Sequence, residues 1–287
     1  MAVGFIGLGT MGMPMAKCLQ RNGFEVHGWD VSEPAMLEFG SQVESIEAIC
    51  VACDQIVTML PEGEHVEAVY EQILASELGE GCLFVDCSTI DVETTRTLAK
   101  RVITSGHEFV DAPVSGGSEA AANGSLSFMI GGATASIERA LPLLDAMGDK
   151  LTEFGAAGAG QAAKACHNMI CGITALGVCE AFALADALEL DLDRFFRLCS
   201  GAAAQSWILE NRCPVPGPAP DAPASNDYAP GFAARLMAKD LGLAQQAAVG
   251  SGQQTEFGAA AARRFRKFVE SGAGDLDFSA IYRSIHN

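Results

Sequence analysis

The run Gly7-Leu8-Gly9-Thr10-Met11-Gly12 constrains this chain more than any other segment, because of what flanks it. An apolar stretch, residues 3–6, stands directly before it, and a helical pattern over residues 13–19 follows directly. A bare G-x-G-x-x-G is common by chance. Behind a strand, at the opening of a helix, and with an acid about 20 positions on, it is a fingerprint for a bound dinucleotide. Here the second strand, residues 25–29, runs into Asp30, so the acid is in place. In such a motif the first glycine permits the tight turn, the second lets the backbone approach the pyrophosphate, and the third lets helix and strand pack closely. The N–H groups and positive end of the helix then face the phosphates. Asp30 is expected to accept hydrogen bonds from the adenosine ribose and to repel a 2′-phosphate, which selects NAD over NADP. Its neighbours Trp29, Val31 and Ser32 include no Arg to hold such a phosphate. The plainer alternative is a strand-end Asp that only shapes a turn.

The first half of the chain alternates strand and helix. Strand-like segments lie at residues 3–6, 25–29, 55–59, 83–86, 108–110, 126–130 and 150–154; helical segments include 66–74, 92–105 and 136–147. That order predicts a parallel sheet with helices on both faces, with room for antiparallel additions among the later strands. After Gly160 the pattern changes to helix only. A run over residues 161–188 would reach about 40 Å, and further helices are expected at 192–199, 203–210, 233–249 and 257–270. The fold class is therefore α/β: an N-terminal Rossmann-type doubly wound sheet over residues 1–159, then an all-α C-terminal domain over residues 160–287, entered by a long interdomain helix. Residues 211–231 hold Pro214, Pro216, Pro218, Pro220, Pro223 and Pro230 and cannot form a helix. A loop that long inside a compact domain is usually functional or mobile.

Composition narrows the partners. At 287 residues, 49% hydrophobic and 19% charged, the chain is long enough for two domains and a well-buried core, and its composition argues against disorder. A net charge of −18 argues against nucleic acid, which needs clustered Lys and Arg. It leaves open a small anion held in a locally positive site. The apolar stretch 169–179 reads as a buried helix core, too short to span a bilayer. A first strand at about residue 3 leaves no room for a targeting segment, so a cytoplasmic location is expected. Cys50 and Cys53 have redox or zinc spacing but lack a second pair, and they lead into an apolar strand. Packing is the expected role, with no metal site. The apolar helical half suggests a homodimer or homotetramer.

The remaining chemistry sits at strand ends and helix starts, where ligands lie in open parallel sheets. Met59-Leu60-Pro61 closes one strand and should flank the cofactor; Cys87-Ser88-Thr89 closes the next, nearer the nicotinamide. Asp111-Ala112-Pro113-Val114-Ser115-Gly116-Gly117 ends another with a hydroxyl and two glycines. Backbone N–H groups exposed there can form an anion nest that fits a carboxylate. Beyond the Gly-rich entry 155–160, Lys164 and Asn168 stand four apart on one helical face. A lone Lys on an apolar helix more often snorkels to solvent. One placed in a cleft is desolvated, which favours the neutral amine and suits it to proton transfer. His167 points elsewhere on the wheel and reads as packing or as support behind the site, not as the catalytic base. Lys239-Asp240 alone reads as a surface pair worth little.

Taken together, Phe5 to Gly12, Met59-Leu60-Pro61, Asp111 to Gly117, Gly158 to Lys164, and Leu236 to Leu243 resemble the β-hydroxyacid dehydrogenase family over nearly the whole chain. That resemblance implies that Lys164 is the catalytic lysine, that Asn168 is a substrate ligand, and that Ser115, Gly116 and Gly117 grip a substrate carboxylate. It implies that Gly7, Leu8, Gly9, Thr10, Met11, Gly12, Asp30, Leu60, Pro61 and Thr89 contact NAD. Lys239 would lie beside both cofactor and substrate, with Asp240 helping to hold it. Residues 214–217 and 224–228 resemble the branch that oxidises 3-hydroxyisobutyrate to methylmalonate semialdehyde. Tartronate semialdehyde reductases and other small-aldehyde reductases share the fold and the lysine and are the alternative. A non-catalytic dinucleotide-binding module is a remote one, since such modules lack the lysine. One departure is visible: the family's Asn-Asn pair after the lysine is His167-Asn168 here.

Overall fold

The computed structural model describes residues 2–40 and 43–286. The chain divides into two compact units, Met1–Lys164 and Ala165–Asn287.

In the first unit, strands β1 (Ala2–Ile6), β2 (Glu25–Trp29), β3 (Gln55–Thr58), β4 (Leu83–Asp86) and β5 (Glu108–Asp111) form a parallel sheet in the order β2-β1-β3-β4-β5. The order reverses beside β1, and such a switch point opens the crevice in which ligands of doubly wound sheets bind. Antiparallel additions do follow. A short strand β6 (Val114–Ser115) and β7 (Leu126–Gly132) pair antiparallel, β7 pairs antiparallel with β5, and β8 (Gly148–Gly155) runs parallel to β7. The two-residue β6 carries no periodicity a sequence pattern could show.

Helices α1 (Gly12–Arg21), α2 (Glu33–Phe39), α3 (Ile46–Ala52), α4 (Gly63–Ala75), α5 (Val92–Thr104), α6 (Gly117–Asn123) and α7 (Thr134–Met147) connect these strands. Strand alternation feeds two cores, one on each face. Leu83 and Val85 of β4 join Val3, Phe5 and Val110 against α1 and α7, while Phe84 joins Ile6, Ile56 and Phe109 against α3, α4 and α5. Cys50 and Cys53 are buried thiols within the second of these cores. Burial pushes them up to about 11 and about 12, which keeps both protonated and unreactive. The short helices α2, α3 and α6 went unread in the sequence because seven residues are too few to show a period. Their punctuation was there: Ser45 Oγ accepts from Ala48 N at the start of α3, and Gly40 and Gly124 take left-handed conformations past the ends of α2 and α6.

The long helix α8 (Ala159–Ala187) begins in the first unit and continues into the second. By length and composition the whole helix is long enough to cross a membrane, where the stretch 169–179 alone is not. Its apolarity has another use. Ala175, Cys179 and Phe182 pack into the core of the second unit. There α9 (Leu192–Ser200), α10 (Trp207–Asn211), α11 (Ala234–Ser251) and α12 (Glu256–Phe268) follow. The helix expected over 203–210 is shorter than its pattern: Ser206 accepts from Leu209 N and starts α10 only at Trp207. The Pro-rich segment is packed, not loose. Val215, Ala219, Ala222, Ala224 and Tyr228 are buried, residues Pro223–Asn226 form a 3₁₀ turn, and Tyr228 Oη donates to Pro214 O at 2.6 Å. Arg283 lies over the Tyr228 ring at 4.5 Å, adding a cation–π contact.

Candidate active site

The fingerprint loop leaves β1 and opens α1. Gly7 has φ 100°, and a Cβ there would run into Met59 O; one at Gly12 would run into Gly7 O and lie 3.1 Å from the Phe5 ring. Both positions are therefore closed to any larger residue. At Gly9 an added Cβ meets no described atom within 4 Å. The backbone there faces open space in a cleft lined by Leu8, Gly9, Thr10, Met13, Pro14 and Glu38. Among the described residues no side chain caps α1; Met13 N already donates to Gly9 O at 3.0 Å and Pro14 has no N–H, so of the leading amides it is those of Met11 and Gly12 that are placed to meet an anion. Asp30 lies at the end of β2, and its carboxylate accepts from Leu8 N and from Ser32 N, each at 2.7 Å. The acid is thus tied to the loop beside which it stands. A cradle that any Cβ would fill, an uncapped helix end and a fixed carboxylate together fit a dinucleotide.

Beside this loop the carboxyl ends of β3 and β4 share a buried polar cluster. Thr58 Oγ1 donates to Asp86 Oδ1 at 2.8 Å, and Ser88 N donates to the same oxygen at 3.2 Å. Burial holds the Asp86 carboxyl above its ordinary range despite these bonds. Ser88 Oγ in turn accepts from Leu60 N at 2.9 Å, which sets the backbone leading to Pro61. Gln161 reaches across from α8: its Nε2 donates to Ser88 O at 2.7 Å and its Oε1 accepts from Ile90 N at 3.2 Å. The segment carrying Thr89 is clamped on both sides by one amide.

The start of α8 is held by Asp111. One oxygen accepts from Gly158 N at 2.7 Å and the other from Gln161 N at 2.9 Å, so a strand-end carboxylate satisfies two of the helix's orphan donors. Asp111 has no exposed surface, and its burial outweighs those bonds, pushing its carboxyl up to about 6. The approach is close because Gly131 and Gly160 lack side chains. A Cβ at Gly131 would lie 2.6 Å from Asp111 Oδ1 and 2.8 Å from Gly160 N. One turn into the helix, Lys164 is 6% exposed and its Nζ donates to Val114 O at 2.8 Å. Lys164 is thus buried, not snorkelling, with its amine one residue short of Ser115. Gly116 and Gly117 follow with φ 134° and 73°, a backbone that only glycine adopts readily.

The other expected site residues lie in the second unit. Asn168 is buried on α8, and its Nδ2 donates to Asp240 Oδ2 at 2.5 Å; its Oδ1 meets His167 Nδ1 at 2.8 Å. Lys239 Nζ lies 3.5 Å from Asp240 Oδ1. Asp240 is itself buried, so this is not the loose surface pair the sequence suggested. It orients an amide as well as facing a lysine.

Asp111, Gln161, Asp86, Ser88 and Thr58 escaped the sequence reading as individual positions. Their partners lie up to 73 residues away. The only local hint was chemical: a polar residue at the end of an otherwise apolar strand, or at the first turn of an apolar helix.

Comparison with known proteins identifies the family. A family profile for the NAD-binding domain of 6-phosphogluconate dehydrogenase matches residues 2–155, and one described as NAD-binding of NADP-dependent 3-hydroxyisobutyrate dehydrogenase matches residues 158–285. A probable 3-hydroxyisobutyrate dehydrogenase of Mycobacterium tuberculosis is 41% identical, over 99% of this chain and 97% of that protein. An NAD-dependent L-serine dehydrogenase of Pseudomonas aeruginosa is 37% identical, over 98% of this chain and 96% of that one. The solved structure of M. tuberculosis 3-hydroxyisobutyrate dehydrogenase with L-serine superposes with a TM-score of 0.94 at 40% identity, covering 100% of this chain and 99% of that one. With identity of this order from end to end, the chain belongs to the β-hydroxyacid dehydrogenase family and is an NAD-binding oxidoreductase similar to the 3-hydroxyisobutyrate dehydrogenases.

Proposed function

We propose that the chain oxidises 3-hydroxyisobutyrate to methylmalonate semialdehyde with NAD, a step of valine breakdown, and that Lys164 moves the proton. One arrangement carries this reading: a buried lysine amine, 2.8 Å from Val114 O, directly ahead of the Ser115-Gly116-Gly117 bend. The bend holds the substrate carboxylate through its backbone N–H groups and the Ser115 hydroxyl. Lys164, as the neutral amine, takes the hydroxyl proton while the carbon it leaves gives up a hydride, so the alcohol loses two electrons and two hydrogens. Its ammonium polarises the carbonyl in the reverse direction. The hydrogen bond to Val114 O fixes where the amine stands, and Asn168 orients the substrate. When bound, NAD supplies the hydride acceptor. Gly7 to Gly12 would hold its pyrophosphate and Asp30 its adenosine ribose, with Leu60, Pro61 and Thr89 along its length. Lys239 would approach both cofactor and substrate, steadied by Asp240.

L-Serine is the second reading. It has the same carboxylate and primary hydroxyl, one relative is named for it, and a solved relative was determined with it. Initial rates with (S)-3-hydroxyisobutyrate, L-serine, glycerate and 4-hydroxybutyrate, each with NAD and NADP, separate these readings. Glycerate also tests the small-aldehyde reductase alternative. Preference for 3-hydroxyisobutyrate with NAD is expected; preference for serine replaces the substrate. Lys164→Ala should lower kcat at least ~100-fold with NAD affinity nearly unchanged. Near-normal turnover in that variant ends the role given to Lys164. Size-exclusion chromatography should show the homodimer or homotetramer that this reading expects.

A further inference from the structure

Asn168 stands at the middle of a chain of three polar side chains, all within the second unit. Asp240 Oδ2 lies 2.5 Å from its Nδ2 on one side, and His167 Nδ1 lies 2.8 Å from its Oδ1 on the other. The chemistry of the groups fixes the direction of every bond. An ionised carboxylate only accepts, so the NH₂ of Asn168 must face Asp240. The amide oxygen also only accepts, so His167 Nδ1 must carry a hydrogen and donate it, whatever the charge of the ring. Turning the amide over would set its oxygen against the Asp240 carboxylate and lose that bond, and would keep a bond to His167 only if the ring moved its hydrogen off Nδ1. Asp240 alone would leave the amide free to swing about its single bond. A donor from the opposite side stops that swing. Asn168 and Asp240 are each 4% exposed, so water is a poor substitute for either partner.

An Asn in place of His167 would also carry an N–H donor, so that exchange would preserve the bond while changing the side chain that makes it. We infer that His167 is a positioning residue: it locks the Asn168 amide so that the second hydrogen of Nδ2 meets the hydroxy-acid substrate. This rests on the reading above in which Asn168 contacts that substrate.

Steady-state kinetics on the full-length enzyme with NAD and (S)-3-hydroxyisobutyrate test it. His167→Phe, which keeps a ring but removes the donor, should raise the KM for the hydroxy acid about 10-fold. The KM for NAD should stay within about 2-fold, because the amide is assigned to the substrate alone. If the added bulk prevents folding, His167→Ala removes the same donor and should raise the same KM. His167→Asn should restore it to within about 3-fold of the parent. In an Asn168→Ala background, His167→Phe should add nothing further, since the amide it positions is gone. A purely structural role would lower kcat through the active fraction and would combine additively with Asn168→Ala. An unchanged substrate KM in His167→Phe and His167→Ala, or full additivity, overturns the inference. If Asn168→Ala itself leaves the substrate KM unchanged, the assignment of Asn168 fails and this inference fails with it.

Discussion

Gly160→Ala sets two well-calibrated effects against each other. Gly160 is the second residue of α8, and alanine is preferred to glycine inside a helix by about 1 kcal/mol. Judged on propensity, the substitution stabilises. The surroundings reverse the sign. An added Cβ would lie 2.8 Å from both Asp111 O and Asp111 Oδ2, and closer still to Met129 O. Two of those three atoms are sheet backbone, so the neighbours cannot rotate away. Forcing a methyl into such a gap costs about 1–3 kcal/mol. If the helix start lifts instead, Asp111 loses bonds from Gly158 N and Gln161 N, each a charge-assisted bond of about 1.5–3 kcal/mol. Less about 1 kcal/mol of helix preference, the first route leaves a loss of up to about 2 kcal/mol and the second about 2–5 kcal/mol, so a loss of about 2 kcal/mol, or roughly 4–8 °C in the melting of the first unit, is expected. Calorimetry with urea unfolding reads it directly. Gly242→Ala is the matched control: it lies inside α11, and an added Cβ meets no described atom within 4 Å. That variant should gain up to about 1 kcal/mol. A Gly160→Ala enzyme as stable as the parent would refute the claim that close approach of α8 to β5 and β7 holds this helix start.

Two further tests bear on charge. Burial raises the Asp111 carboxyl to about 6, above its unfolded value, so the folded protein takes up a proton that the unfolded chain releases. The stability this group contributes is full below about pH 4 and is lost as pH rises through about 6, a difference of about 3 kcal/mol. Asp111→Asn never ionises, so the parent's stability relative to that variant should fall by about 2 kcal/mol of that difference between pH 4 and pH 7 in paired urea titrations; a flat difference contradicts the assigned burial. Asp30→Asn removes the charge that would repel a 2′-phosphate and weakens the bond from Leu8 N. The ratio of kcat/KM for NAD to that for NADP should drop at least ~10-fold, and an unchanged ratio would remove Asp30 from cofactor choice.

Much of the fold was legible because its signals are local. The strand-glycine-helix order at residues 3–19, the alternation through Met147 and the change to helix after Gly160 each depend on neighbours within a turn or a strand. The bounds of β2 and β4 are those the pattern gives. Reading weakened wherever an element was too short to repeat, as in β6 and the seven-residue helices, and wherever apolar residues lacked helical caps, as before Ser206. The Pro-rich segment is barred from an α-helix by its prolines, and the Tyr228–Pro214 bond lies within it, but the cation–π partner Arg283 comes from a part of the chain the segment does not encode.

By itself, then, the amino-acid order determined which backbone could bind a dinucleotide, which lysine and which amide share one helical face, and where strands give way to helices. These follow from torsional preference and periodicity, which act over a few residues. Only the tertiary structure decided that Lys164 is buried against Val114, that Asp111 caps the helix bearing it, and that Asn168 is held between His167 and Asp240. A buried polar atom must find a partner wherever the fold brings one, and those partners lie up to 72 residues away.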